Sequence, residues 1–422
     1  MLRRYFLLQI LIGWFLSVGS KIPIPNLQKS SFIATSKKIN PKVEPMLFFI
    51  ATNGNDNWSG KQATVARDTK NGPFATWKKA QAVIREIKKQ NNGLNQPIKV
   101  IFSGGTYQLT EPIIFTPEDS GTKSFPISYE AASQQQVTIS GGQEITGWQE
   151  QKLNGLRLWT TTLPASLQGV NFQHLWVNDG RRMRARYPNE GYLNIKSVSR
   201  RKGQNWYDGD RKLTYKIKDL PPGIEPTGSE AVVLNRWVES RLPVAKIDRK
   251  QQILHFEKES VFKLAANDLY YLENKLEFLD TPGEWYLDRE EYLLYYLPLA
   301  TEAIASAKIT VPLLDTLIIF RDKVKKNLTV EHLEFNNLTF AHTDSHLPPT
   351  RSGYNQNAWG VSSAIVASGI NDCRWRYCTW KHLGGYGIEL FRRRQHNHIV
   401  GRTFFDLGAG LIKLGEKKVY RP

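Results

Sequence analysis

The chemistry in this chain is concentrated near its C-terminal end, where one pattern is written twice. Residues 371–391 read NDCRWRYCTWKHLGGYGIELF and residues 395–415 read QHNHIVGRTFFDLGAGLIKLG. At a shift of 24 residues Trp375 meets Ile399, Thr379 meets Thr403, Trp380 meets Phe404 and Leu383 meets Leu407. Gly384 then meets Gly408, Ile388 meets Ile412, and Leu390 meets Leu414. His382 falls on Asp406, and the earlier segment LTVEHLEFNNLTFAHTD places Phe340 at the Trp380 position and His342 at the His382 position. Two imidazoles and a carboxylate in one file could move protons, orient one another or bind hydroxyl groups. Glycoside hydrolysis needs two carboxyl groups, ~5–5.5 Å apart for retention or ~6.5–9.5 Å for inversion. Neighbouring strands lie ~4.8 Å apart, so acidic residues one repeat apart fall close to that range.

A period of this length, with short apolar runs and glycine at fixed points, suits one coil of a parallel β-solenoid. The expectation is a file of His342, His382 and Asp406 along one exposed edge of three coils. A polar loop over 343–360 separates the first two. Asp406 is the best first carboxylate. It closes an apolar strand and precedes the Gly408–Ala409–Gly410 corner. Asp344, Glu389 and Glu416 are weaker second acids. Glu389 faces Lys413 one period on, as a stabilising ladder pair would. Asp372 and His396 share a solvated corner. Trp359, Tyr354 and Tyr386 could stack on sugar rings. No metal and no cofactor is assigned.

The elements that hold this file are read from the rest of the chain. Its 422 residues carry 57 Lys and Arg against 39 Asp and Glu, and 41% are hydrophobic. That supports a large core and excludes a disordered chain. The net charge of +18 is spread along the sequence. No nucleic-acid motif accompanies it, so an acidic polysaccharide or the cell envelope suits it better. Residues 1–4 are basic, 5–18 apolar and 18–20 small, the pattern of a secretory signal peptide over 1–20. A linker over 21–46 follows. After signal cleavage no stretch could span a membrane. Cys373 and Cys378 are expected as free, buried thiols.

Residues 47–148 read as an N-terminal cap and the first coils. A strand covers 47–52. Trp77, Ala80, Val83, Ile84 and Ile87 then recur at helical spacing behind the N-cap Thr76. Strands follow over 98–102, 106–109, 113–115, 127–129 and 137–140. The Pro97-Ile98 and Pro126-Ile127 pairs lie 29 residues apart. Residues 149–306 lose this rhythm and alternate as antiparallel hairpins do, forming an inserted β lobe with a tight turn at 288–291. The coils resume over 307–422.

FFIATNGNDNWSG, followed by GPFATWKKAQ, resembles the opening of right-handed parallel β-helix proteins of the pectate-lyase-like superfamily. The likeness is to carbohydrate-active members of the β-xylosidase and α-fucosidase or xylanase type. HLWVNDGRRMRARYPNEGY and GEWYLDREEYLLYYLPL resemble their inserted lobe; HLGGYGIEL and FFDLGAGLIKLGE resemble their central coils. The likeness covers roughly residues 47–416. It implies an all-β fold: a parallel β-helix with a capping helix and an inserted antiparallel lobe. It also implies an exported, glycoside hydrolase-like protein acting on a polysaccharide or oligosaccharide. Asp406 matches the family's DLGAGG-type motif. The partner carboxylate is expected one coil later, beyond Pro422, which implies weak or absent turnover. A non-catalytic glycan-binding protein and a polysaccharide lyase are the alternatives. The lyase needs an acidic Ca²⁺ cluster opposite Arg392, Arg393 and Arg394, and no such cluster is evident.

Overall fold

The computed structural model describes residues 43–415, except 68, 69, 154, 200, 201 and 221. The expected signal peptide, the linker as far as residue 42, and Glu416 with the final six residues lie outside the described residues. The described part is mostly β, with one α-helix and its strands gathered into sheets.

Three larger sheets are wholly parallel, as is the small two-stranded pair Val330–Glu331 with Ile370–Asn371. The first runs Met46–Ile50, Ile98–Phe102, Ile127–Ala131, Leu333–Asn336, Arg374–Arg376 and His398–Val400. The second runs Gly105–Gln108, Val137–Ser140, Leu338–Thr343, Thr379–Leu383 and Thr403–Leu407. The third contains Ile113–Phe115, Ile318–Phe320, Ser363–Ser368, Tyr386–Phe391 and Ile412–Leu414. Within residues 374–414 the chain visits the three sheets in turn, then repeats the circuit. The register follows the repeat: Trp375 pairs with Ile399, Trp380 with Phe404, Leu383 with Leu407, and Ile388 with Ile412. Ile98 pairs with Ile127 across the 29-residue spacing.

Alternate residues of each strand point inward, so in-register apolar positions stack into files. Tyr129, Phe335 and Trp375 form one such file. Their ring centroids lie 5.7 and 5.3 Å apart and their planes are nearly parallel. The helix Trp77–Gln90 begins at Thr76, whose hydroxyl accepts from the Lys79 amide at 3.1 Å. Trp77 inserts into the same core, 5.0 Å from both Phe102 and Tyr129. Cys373 and Cys378 are free and buried, and burial pushes both thiols up to about 12.

The segment between Ile145 and Ile309 leaves this pattern. It builds most of an eight-stranded mixed sheet and all of a seven-stranded antiparallel one. The strand Ile309–Pro312 pairs antiparallel with Gly142–Ile145 and with Leu175–Val177, so parallel pairing resumes at Ile318 and not at Ile309. Asp288 closes the expected tight turn by accepting from the Glu290 and Glu291 amides. The eight-stranded sheet includes the hairpin Leu175–Val177 and Gly180–Arg184, whose turn residues Asn178 and Asp179 both have positive φ. That hairpin reaches the candidate site.

Candidate functional site

His342, His382 and Asp406 all adopt left-handed backbone, with φ of 57°, 55° and 52°. The parallel register skips them: Ala341 pairs with Lys381 and Thr343 with Leu383, while Lys381 pairs with Phe405 and Leu383 with Leu407. The offset is the same on both sides of each position, so each is a matched break in the ladder where the left-handed backbone turns its strand and re-aims one side chain. Asn, Asp and His tolerate this conformation better than bulky residues do. The same geometry accounts for the residue types and for their vertical file. Gly142 makes room for the file, because a Cβ there would lie 2.7 Å from the His342 Cβ.

The file is continuous. The rings of His342 and His382 stack at 5.4 Å with planes 17° apart. His382 Nδ1 lies 2.7 Å from Asp406 Oδ2. A carboxylate oxygen only accepts, so this nitrogen carries a proton, and in the neutral ring Nε2 presents its lone pair. His342 Nδ1 lies 3.0 Å from Ser140 Oγ.

The file is not the bare edge expected from the sequence. The lobe hairpin lies over it and leaves His382 only 1% exposed. Trp176 is buried against both rings, at 5.3 Å from His342 and 5.9 Å from His382, and its Nε1 donates to Asp406 Oδ2 at 2.8 Å. Arg181 Nε donates to Asp406 Oδ1 at 2.5 Å, and its Nη2 donates to the Leu383 carbonyl at 2.9 Å and the Asp406 carbonyl at 3.2 Å. Partial burial opposes ionisation of Asp406. The hydrogen bonds from His382, Arg181 and Trp176 outweigh it and hold the carboxyl at about 2. Burial, with His382 and Lys381 nearby, brings His342 down to about 3, so its ring is neutral. Asp179 stands at the hairpin turn, with Oδ2 accepting from Lys381 Nζ at 2.8 Å and Oδ1 lying 3.4 Å from His382 Nε2.

The remaining expected residues separate. Asp344 does not project from the loop. It is 0% exposed, accepts from the Gln173 and Ser345 amides at 2.8 Å each, and lies 3.5 Å from His346. Burial raises its carboxyl to about 6. Its side chain is linked to the file through His174, which is 3.6 Å from Asp344 and 2.7 Å from Arg181. Glu389 is in a different sheet and pairs with Lys413 at 3.3 Å one period on, but Glu389 is buried and the pair is not the surface ladder expected. Trp359 is 56% exposed in the 343–360 loop and makes no described contact with the file. A cavity of about 560 Å³ between the helix and the Gly105–Gln108 strand shares no lining residue with the file. Trp176, Asp179, Arg181 and Ser140 were missed. The Asn-Asp-Gly turn between LWV and RRMRAR marked a hairpin, but nothing local told where that hairpin docks.

A family model described as the GH141 insertion domain matches residues 156–299, the segment that carries Trp176, Asp179 and Arg181. A solved chain described as "Glycoside hydrolase" superposes with a TM-score of 0.72 at 22% identity, covering 86% of this chain and 73% of that one. The structure titled "The complex structure of XylC with xylose" covers 88% of this chain and 64% of its own. Its identity is 13% and its TM-score of 0.26 carries no argument. A search of curated proteins finds no match. The insertion-domain match and the shared fold support a carbohydrate-active, glycoside hydrolase-like protein.

Proposed function

We propose that this is an exported protein that acts on a plant or microbial glycan as a glycoside hydrolase. In this reading the three parallel sheets are the faces of a right-handed parallel β-helix of the pectate-lyase-like kind. The lobe over 149–306 is an insertion that roofs one face. One observation carries the proposal. The segment matching a glycoside hydrolase insertion domain supplies the residues that close over the His342–His382–Asp406 file. Asp406, held as an anion, suits a nucleophile or general base and stabilises positive charge developing at an anomeric carbon. It does not suit the acid. His382 fixes the orientation of Asp406, and His342 offers a neutral ring to a sugar hydroxyl.

A second reading has its own support. Both Asp406 oxygens already accept hydrogen bonds, and the lobe exposes an aromatic face. Trp206, Tyr207 and Trp237 are each about half exposed and packed in T-shaped and tilted contacts, with Phe262 as the buried floor. Such a face suits the apolar side of a sugar ring and favours glycan binding without turnover.

The test is release of reducing sugar from xylo-, fuco- and pectic oligosaccharides by the full chain and by Asp406→Asn. Turnover lost in the variant supports the hydrolase. Turnover that survives it removes Asp406 from the chemistry. Binding on a glycan array without turnover selects the second reading.

A further inference from the structure

We propose that Asp179, His342 and His382 form a binding site for one divalent transition-metal ion of the Zn²⁺ class. The ligand atoms would be one Asp179 oxygen and one ring nitrogen from each histidine. This inference does not rest on the hydrolase reading, since it concerns a cation and not a sugar.

The three residues offer nitrogen and oxygen atoms that all lie within 4.8 Å of one another. The neutral form of His382 points the right way. His382 Nδ1–H is committed to Asp406, so Nε2 faces outward as a lone pair. That Nε2 has no hydrogen-bond partner, although the residue is 1% exposed. A buried ring nitrogen left unpartnered is costly and calls for an occupant. What it faces is another acceptor, Asp179 Oδ1, at 3.4 Å. Two acceptors turned toward each other repel unless a cation sits between them. His342 has one ring nitrogen engaged in the same way, with Nδ1 3.0 Å from Ser140 Oγ; when that hydroxyl accepts from Nδ1, Nε2 is the lone pair available to the ion.

Metal-binding histidines show this pattern of one nitrogen on the ion and the other on a carboxylate or hydroxyl. Asp406 and Ser140 take those supporting places. Two imidazoles and a carboxylate exclude an oxygen-seeking ion such as Ca²⁺ and match the donor set of Zn²⁺ and its neighbours. Ligands at ~2.0–2.2 Å require the three atoms to draw together. The Asp179 side chain is 67% exposed, so no packing opposes a shift toward the histidines. Its Lys381 partner holds only Oδ2, which leaves Oδ1 available. Three protein ligands leave at least one coordination position open on the exposed Asp179 side.

The rival occupant is a proton, which would make His382 a cation bridging Asp406 and Asp179. The deciding experiment strips the full chain with a chelator, then titrates it with Zn²⁺ by calorimetry and with Co²⁺ by visible absorption, with no sugar present. One equivalent should bind, and Co²⁺ should give the absorption bands of nitrogen and oxygen ligation. Asp179→Ala, whose strain from the left-handed φ of 63° is confined to an exposed turn and is checked by a melting curve, should weaken binding at least 10-fold. His342→Ala and His382→Ala should abolish the absorption bands. Asp406→Asn and Ser140→Ala should weaken binding about 10–100-fold. No binding up to millimolar metal overturns the proposal in favour of the proton. One equivalent bound unchanged in Asp179→Ala and His342→Ala places the ion elsewhere and overturns it equally.

Discussion

Arg181 Nε donates to Asp406 Oδ1 at 2.5 Å, joining two residues 225 apart in sequence. The same guanidinium reaches two backbone carbonyls of the parallel sheet and His174 of the lobe. It therefore docks the lobe as well as fixing a carboxylate. Both partners are about one quarter exposed, so water screens part of their attraction. Arg181→Met should destabilise the protein by about 2 kcal/mol, less than the ~3–5 expected for a fully buried pair. Guanidinium unfolding measures it. Asp406→Asn in the same background should cost less than it does alone, by at least ~0.5 kcal/mol. Additive costs would mean that the two residues act independently.

The glycine file beside the site has no tolerance for a side chain. A Cβ on Gly408 would lie 2.0 Å from the Gly384 carbonyl oxygen, and one on Gly384 would lie 2.6 Å from the Asp344 backbone. Backbone cannot move aside as a flexible side chain can. Gly408→Ala and Gly384→Ala should each destabilise by about 2–3 kcal/mol or more. Gly415→Ala meets nothing within 4 Å and should be close to neutral. Thermal unfolding of the three variants side by side checks the order.

These two cases mark where the sequence was readable. Gly384 over Gly408 and His382 over Asp406 follow from spacing alone, because in-register parallel strands turn a linear period into vertical files. The helix behind Thr76 was readable for a similar reason, since cap and apolar period agreed. Arg181, Trp176 and Asp179 left no such trace. Their hairpin is local, but its docking is set by shape and charge across some 200 residues. Asp344 does stand at the start of the expected loop, just after the strand Leu338–Thr343, but its burial left no trace in the sequence. Its burial comes from the Gln173 and Ser345 amides, supplied by another segment and by its own turn.

Asp344 and His346 predict how stability depends on pH. Burial raises the Asp344 carboxyl to about 6, above the ordinary ~3.9. The native state thus keeps a proton that the unfolded chain releases. Its contribution is complete below ~3.9 and is lost as pH rises to about 6. His346 is raised to about 9 by its hydrogen bond to Asp315, against an ordinary ~6.5. Its contribution holds below ~6.5 and is lost as pH rises through about 9. The melting temperature should therefore fall in two steps as pH increases. Asp344→Asn should remove the lower step and stabilise the protein at pH 7. A melting profile identical to the parent between pH 4 and pH 7 would refute this account of Asp344.

The aromatic face of the lobe separates packing from ligand contact. Trp206 and Trp237 lie 6.2 Å apart and are 50% and 48% exposed, while Phe262 beneath them is 3% exposed and within 5.3 Å of both. Removing a half-exposed ring leaves the buried floor in place, so the cost to folding should stay near 1 kcal/mol. A sugar stacked on that ring would lose its apolar contact entirely. Trp206→Ala and Trp237→Ala should therefore each weaken glycan binding about 10-fold, equivalent to ~1.4 kcal/mol. Phe262→Ala should instead cost ~3–5 kcal/mol of stability, because it opens a cavity. Calorimetric titration with the best oligosaccharide, paired with melting curves, reads both effects. Unchanged affinity in both tryptophan variants would mean that the glycan does not use this face.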